Sequence, residues 1–295
     1  MKGIYKIPII ILFFSTIVAY GQQEPENAFY RYTMNTLNPA YAGEGTHFIF
    51  NLRSQWQGVE DAPQTQTFIG STPINDRIGL GISVVNDQTF IEKETAVFID
   101  FSYKLPISRS TNLFFGLKGG GNFFSVNTSG LQAFNYTVDP LLQDQSRFNP
   151  NIGIGALLKG EVFFVSLSSP GVLNTKRFEE NDATVTQAVE SIHVAFAAGY
   201  DFELSYEWVF KPSFLARVVE GGPVSLIGTA AVAYDERFEV GVSYRTDKAV
   251  TAMVLVGIID WLDIGYAYDN SLRSGINEIG GGTHEILLKV DLFPN

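Results

Sequence analysis

Three histidines, His47, His193 and His284, are the side chains of this sequence best suited to metal or proton chemistry, and no two of them stand at a ligand spacing such as HExxH. There is no cysteine, so thiol nucleophiles, zinc–thiolate sites, a disulfide framework and a lipoprotein anchor are all excluded. Glu179-Glu180-Asn181-Asp182 gathers oxygen ligands suited to calcium, but without the spacing of a calcium loop it reads as a solvated connection. Gly79-Leu80-Gly81 and Gly153-Ile154-Gly155 begin like dinucleotide-binding turns, yet lack the third glycine and the following helix. No serine or carboxylate is recognisably paired with a histidine for nucleophilic catalysis. The expectation is a protein that is not an enzyme, with no cofactor and no metal. The net charge of −11 also argues against a nucleic-acid partner, which demands clustered Lys and Arg.

The elements that hold these residues have a period of two. Val97, Ile99, Phe101, Tyr103 and Leu105 alternate with smaller or polar neighbours, as do Ile192 to Tyr200, Phe238 to Tyr244, and Ile264 to Tyr268. A soluble sandwich also alternates, but its outer face is rich in charge. Here the polar face is mostly Gly, Ala and Ser with occasional charges, which suits a crowded barrel lumen inside an apolar wall. Helical periodicity is confined to the first 21 residues. There Lys2 and Lys6 precede an apolar run from Ile7 to Val18, and Ala19-Tyr20-Gly21 offers a cleavage site. Residues 1–21 read as a signal peptide, because the run is too short to span a bilayer.

The pattern predicts an all-β protein, a transmembrane antiparallel β-barrel of about 14 strands over residues 46–295, preceded by a periplasmic or plug segment over 22–45. The long connections 125–149, 169–190 and 270–282 follow strands five, seven and thirteen, whereas connections after even strands are short. One end of the barrel therefore carries the long loops, as outer-membrane barrels do on their external side. Arg77, Asp100, Lys104, Lys118, Lys159, Asp201, Lys211, Arg217, Glu239, Arg245, Asp263 and Asp269 fall on the lumen face, where mixed signs favour salt bridges over an open pore.

Residues 22–45 do not alternate. Asn38-Pro39 starts a turn, and Tyr30, Tyr32, Leu37 and Tyr41 need cover that so short a segment cannot supply itself, so the segment is expected to dock under or inside the barrel. Met34-Asn35 and Leu37-Asn38-Pro39-Ala40-Tyr41-Ala42-Gly43 are followed by Arg53-Ser54-Gln55-Trp56-Gln57-Gly58. Ala62-Pro63-Gln64-Thr65-Gln66-Thr67, Thr72-Pro73-Ile74 and Gly79 to Asp87 come next, with His284-Glu285-Ile286 near the end. In order and spacing this resembles the PorP/SprF family of type IX secretion outer-membrane proteins. Asn38, Pro39, Ala40, Tyr41, Gly43, Arg53, Gln55 and Trp56 carry the resemblance.

The resemblance implies an outer-membrane location and a role in secretion and surface attachment of a gliding adhesin or other cargo, held through a type-B C-terminal signal domain. Other type IX components and outer-membrane lipid are the further partners it implies. Leu131, Phe134, Tyr136, Leu141, Leu142, Val172, Leu173 and Phe178 lie in the long connections and are the candidate partner-binding residues, since solvating loops need no such side chains. Two rival readings are a transporter of hydrophobic small molecules, resembling the fatty-acid uptake barrels, and a soluble secreted β protein.

Overall fold

A computed structural model of the chain describes residues 26–128, 145–173, 192–219, 222–273 and 281–293. Each alternating run of the sequence forms a strand. The first eight are β1 (His47–Ser54), β2 (Gln64–Pro73), β3 (Ile78–Thr89), β4 (Glu92–Pro106), β5 (Asn112–Val126), β6 (Gln145–Lys159), β7 (Phe163–Ser169) and β8 (His193–Tyr200). There follow β9 (Phe202–Glu203), β10 (Trp208–Val219), β11 (Ser225–Tyr234), β12 (Phe238–Arg245), β13 (Ala249–Ile259), β14 (Leu262–Ser271) and β15 (Thr283–Asp291). β8 and β9 both pair with β10 and make one stave interrupted at Asp201, so the segments form a closed antiparallel barrel of 14 strands. The closing seam joins the first strand to the last, from His47 opposite Asp291 to Ser54 opposite His284.

Closure leaves no edge with unpaired backbone groups, which is what permits strands to cross an apolar medium. The two faces of β1 show how sorted the wall is. Phe48, Phe50 and Leu52 point outward and are 38–52% exposed, while Ile49, Asn51 and Arg53 point inward and are at most 4% exposed. The same outward apolar face continues through Ile99 and Phe101 on β4, Leu117 on β5 and Val240 and Val242 on β12. Among the described residues no helix is long and apolar enough to cross a membrane; the strands are the candidates for that.

Three sequence expectations shift in detail. β6 begins at Gln145 rather than at 150: Pro150 sits within the ladder opposite Gly121, where a Cβ would lie 2.4 Å from the Asn149 carbonyl oxygen. Residues 145–149 thereby leave the long connection. Arg77 lies on the turn after β2 and is exposed, so it rims the short-turn mouth instead of facing the lumen. The connection Gln55–Pro63, absent from the three long ones, also lies at the long-connection end and carries part of the family motif. The segment 1–21 lies outside the described residues.

The assignment of faces makes a direct prediction. Arg at Val242, outward and 57% exposed, should cost about 2–4 kcal/mol near the bilayer midplane. Arg at the adjacent Gly241 should fail for a different reason, since even a Cβ there would sit 2.8 Å from Met253 Cε and 2.9 Å from Ala231 Cβ. Heat-modifiable mobility of the barrel on a gel, measured across a temperature series, checks both. Unchanged mobility of Val242→Arg would reverse the inside–outside assignment.

Candidate functional site

Residues 26–45 lie inside the barrel. They run as a strap from Glu26, near the long-connection end, to Gly43 and Glu44 at the short-turn mouth, just before β1 begins. Two 3-10 turns, Met34–Thr36 and Pro39–Tyr41, fold the strap into the available width. Asn38 caps the second turn by accepting from the Ala40 N–H at 2.8 Å, and Pro39 in first position presets the turn. The Asn38 amide also donates to the Ala156 carbonyl at 3.0 Å and the Ser166 hydroxyl at 2.8 Å, so one side chain both shapes the strap and fixes it to β6 and β7.

Apolar packing fills the lumen around the strap in two clusters. Tyr30, Met34, Ala40, Tyr41 and Leu37 pack against Phe114, Leu157, Phe164 and Leu215 of the wall. Phe29 and Tyr32 pack against Ile49, Ile69, Leu255 and Leu287. Contact is so close that two wall glycines could not bear a side chain. A Cβ at Gly116 would lie 2.1 Å from Ala40 N, and one at Gly79 would lie 2.2 Å from the Ala42 carbonyl oxygen.

Among the described residues most charges on the lumen face are paired rather than open. At the heart of the network Arg53, on β1, donates to Glu285, directly opposite on β15, at 3.0 Å, and to Asp269 on β14 at 3.0 Å. Arg245 donates to the same Asp269 oxygen at 2.9 Å and lies 3.4 Å from Glu26 of the strap. Glu285 further accepts from Asn51 Nδ2 at 2.8 Å and from the backbone N–H groups of Ala28 and Phe29 at 2.9 and 3.3 Å. One buried carboxylate thus closes the barrel seam and grips the strap. On the opposite wall Lys118, fully buried, is 3.1 Å from Asp100 and donates to the Asn35 carbonyl at 2.9 Å and the Thr36 carbonyl at 3.2 Å, satisfying the open end of the first turn. Lower down, Arg31 pairs with Asp201, while Lys211 and the Tyr32 hydroxyl both meet Glu239. At the exit, Lys159 lies 2.9 Å from Glu44, whose carboxyl burial pushes above its ordinary range against the pull of that ammonium.

The mouth at the short-turn end holds a cleft of about 690 Å³, lined by Glu44, Arg77, Lys104, Arg109 and Lys159 among others. The three histidines stay apart: His47 and His193 sit on different staves, and His284 faces outward, with its Nδ1 2.7 Å from the Tyr266 hydroxyl. Among the described residues no group of three or more His, Asp or Glu side chains is placed to hold a metal ion. Of the candidate partner-binding residues, Val172 and Leu173 continue beyond β7 beside β6, Val172 N–H donating to the Ile152 carbonyl at 2.8 Å and Leu173 N–H to Asn151 Oδ1 at 3.1 Å. Leu131, Phe134, Tyr136, Leu141, Leu142 and Phe178 lie outside the described residues, as does Glu179 to Asp182. Glu285 and Glu26 are site residues that spacing and composition do not mark as such; Glu285 has two signals, the inward phase it shares with Leu287 and its place in the closing His284-Glu285-Ile286 motif.

A closed barrel with an apolar outer wall, a polar plugged lumen and long connections at one end defines an outer-membrane β-barrel. Solved structures resembling it in fold include the Acinetobacter baumannii outer membrane protein Omp33, at 9% identity and TM-score 0.48 over 85% of this chain and all of that one. The P. putida toluene transporter TodX aligns at 8% identity and TM-score 0.47, over 88% of this chain and 94% of that one. The NanC porin aligns at 7% identity and TM-score 0.42, over 84% and 98% respectively. No individually curated protein matches the chain. The family model for the type IX secretion system membrane protein PorP/SprF matches residues 19–290, and the chain belongs to that family. It is an outer-membrane protein of a secretion family, which is not a known enzyme family.

Two experiments test the plugged lumen. Arg53→Met, which leaves Glu285 buried without its cation and Asp269 with Arg245 alone, should cost about 3–5 kcal/mol. Adding Glu285→Met should recover much of that loss, and the part not recovered reflects the bonds of Glu285 to Asn51, Ala28 and Phe29 and of Arg53 to Asp269. Stepwise denaturation of the folded barrel in detergent reads both. Separately, Gly116→Val should push the strap off the wall and raise single-channel conductance in planar bilayers. Leu117→Val, outward on the same strand, should leave conductance at the wild-type level.

Proposed function

We propose that this barrel assists the secretion of a partner protein by the type IX route and holds that partner, an adhesin or similar cargo, at the cell surface through a type-B C-terminal domain. The observation that carries the reading is the filled lumen. Residues 26–45 occupy it, held by ion pairs of Glu26 with Arg245, Arg31 with Asp201 and Glu44 with Lys159, and by hydrogen bonds to Lys118 and Glu285, so a member of a secretion family acts through its faces rather than as a conduit. The role is one of holding, and it involves no catalysis. The long-connection end is the external one by the loop-length rule. There Leu173 is 40% exposed beside the rim of β6, which supports a partner-binding role for the loops at that end. The cleft at the periplasmic mouth is the place for contact with other secretion components. Apolar clusters packed around the strap, in place of a continuous apolar channel, speak against the small-molecule transporter.

The test is to shorten 131–142 and 172–178 separately, following barrel assembly by heat-modifiable mobility and cargo by surface labelling of whole cells. Each deletion should leave the barrel assembled and lower the cargo displayed. Assembled barrels with normal cargo display in both cases would refute capture by the external loops and shift attention to the periplasmic mouth near Asn38 to Gly43.

A further inference from the structure

The family motif Arg53-Ser54-Gln55-Trp56-Gln57-Gly58 is only half explained by the plugged lumen. Arg53 serves the seam, but the residues after it turn away from the lumen into the connection at the external rim. There Gln55, Trp56, Gln57, Gln64 and Gln88 line a pocket of about 310 Å³, within the size range of small-ligand sites. Gln64 and Gln88 lie opposite one another on β2 and β3, beside Ser54 of β1, on the outward face of the wall. Two rungs further into the wall, the same outward face bears Phe50, Phe68 and Val84. The pocket therefore sits immediately beyond the apolar band, on the side of the barrel that meets the outer leaflet.

Its backbone is held in an unusual form. Trp56 at φ 49°, Asp61 at φ 55° and Phe90 at φ 54° are all left-handed without being glycine, a conformation that costs energy and persists where surrounding contacts impose it. Those contacts are present. Gln55 N–H donates to the Pro63 carbonyl at 2.9 Å, Phe90 N–H to that of Asp61 at 3.1 Å, and Gly281 N–H to that of Gln57 at 3.1 Å. An indole serving as an ordinary interfacial anchor needs neither this backbone nor a ring of amides around it.

We propose that this rim pocket binds a neutral sugar unit of an outer-leaflet glycolipid. Each glutamine amide offers donors and an acceptor in one plane, which matches neighbouring sugar hydroxyls, and the 38%-exposed Trp56 supplies an apolar face for the ring. The lining contains one carboxylate, Asp61, and no cation, which disfavours a phosphate or acidic ligand. β1, β2 and β3 are paired on both sides, so a peptide cannot join them as an added strand.

The experiment uses the purified barrel in detergent, titrated with polysaccharide freed from its lipid by mild acid hydrolysis of the organism's own outer-membrane glycolipid. Binding is read by equilibrium dialysis. Saturable binding, weakened about tenfold or more by Trp56→Ala and by Gln64→Leu while Trp56→Phe retains most of it, is the expected result. Absence of saturable binding, equal binding by all variants, or binding only of the intact glycolipid irrespective of variant, which is acyl-chain contact with the wall, would each overturn the proposal. Should the variants not assemble, the wild-type barrel still decides. Oxidation of Trp56 by N-bromosuccinimide, mapped by mass spectrometry, is slowed by the polysaccharide if the proposal holds and unaffected if it does not.

Discussion

The ion pair between Arg53 and Glu285 is the interaction on which the rest of the molecule depends. The two residues are directly opposed across the seam that joins the first strand to the last, and both are almost wholly buried. A buried pair of this kind seldom adds net stability over an apolar substitute of the same shape, but removing one member is costly. Its value here is in specification. Glu285 accepts from two side chains of the seam and two backbone amides of the strap, so the register of closure and the position of the plug are set by the same four bonds. A slip of one residue at the seam would turn one of the two charges toward the apolar exterior and leave the other buried without its partner.

Much of the architecture is legible in the sequence because a barrel wall is a local code. A residue's face follows from its parity along the strand, and the phase of Phe238 to Tyr244 is enough to place Val242 outside and Gly241 inside. Loop parity is similarly local and gives the two ends of the barrel. The departures come where one rule meets another. Pro150 looks like the start of a strand and lies inside one, opposite Gly121 in the ladder. Asp201 breaks a stave that alternation alone reads as continuous.

The interior was less legible, and for a physical reason. The grip of Glu285 on Ala28 and Phe29 links residues more than 250 positions apart, and nothing in spacing or composition encodes it. Parity could place Arg53 on the lumen side, yet its partners depend on which strand closes the barrel. The strap has no periodicity at all. Its aromatic content revealed a need for cover but not the direction in which it runs or the glycines against which it lies. The paired charges of the lumen were legible as a set, since mixed signs facing one another must neutralise, but not as individual pairs.

The strap also bears on how such a barrel is made. Its contacts reach β3, β5 and β6 on one side and β11, β12 and β15 on the other, and it is joined directly to β1, the strand that the last strand pairs with. A cylinder of this kind cannot be closed first and filled afterwards without drawing a folded, polar segment past the ion pairs that retain it. The strap is thus the core that the finished wall encloses, touched from both sides by the sheet. In the closed barrel the final strand bonds to β1 and to the strap together, so the same residue seals the wall and the lumen. The entropy of bringing the two ends of the chain together is spent once for both.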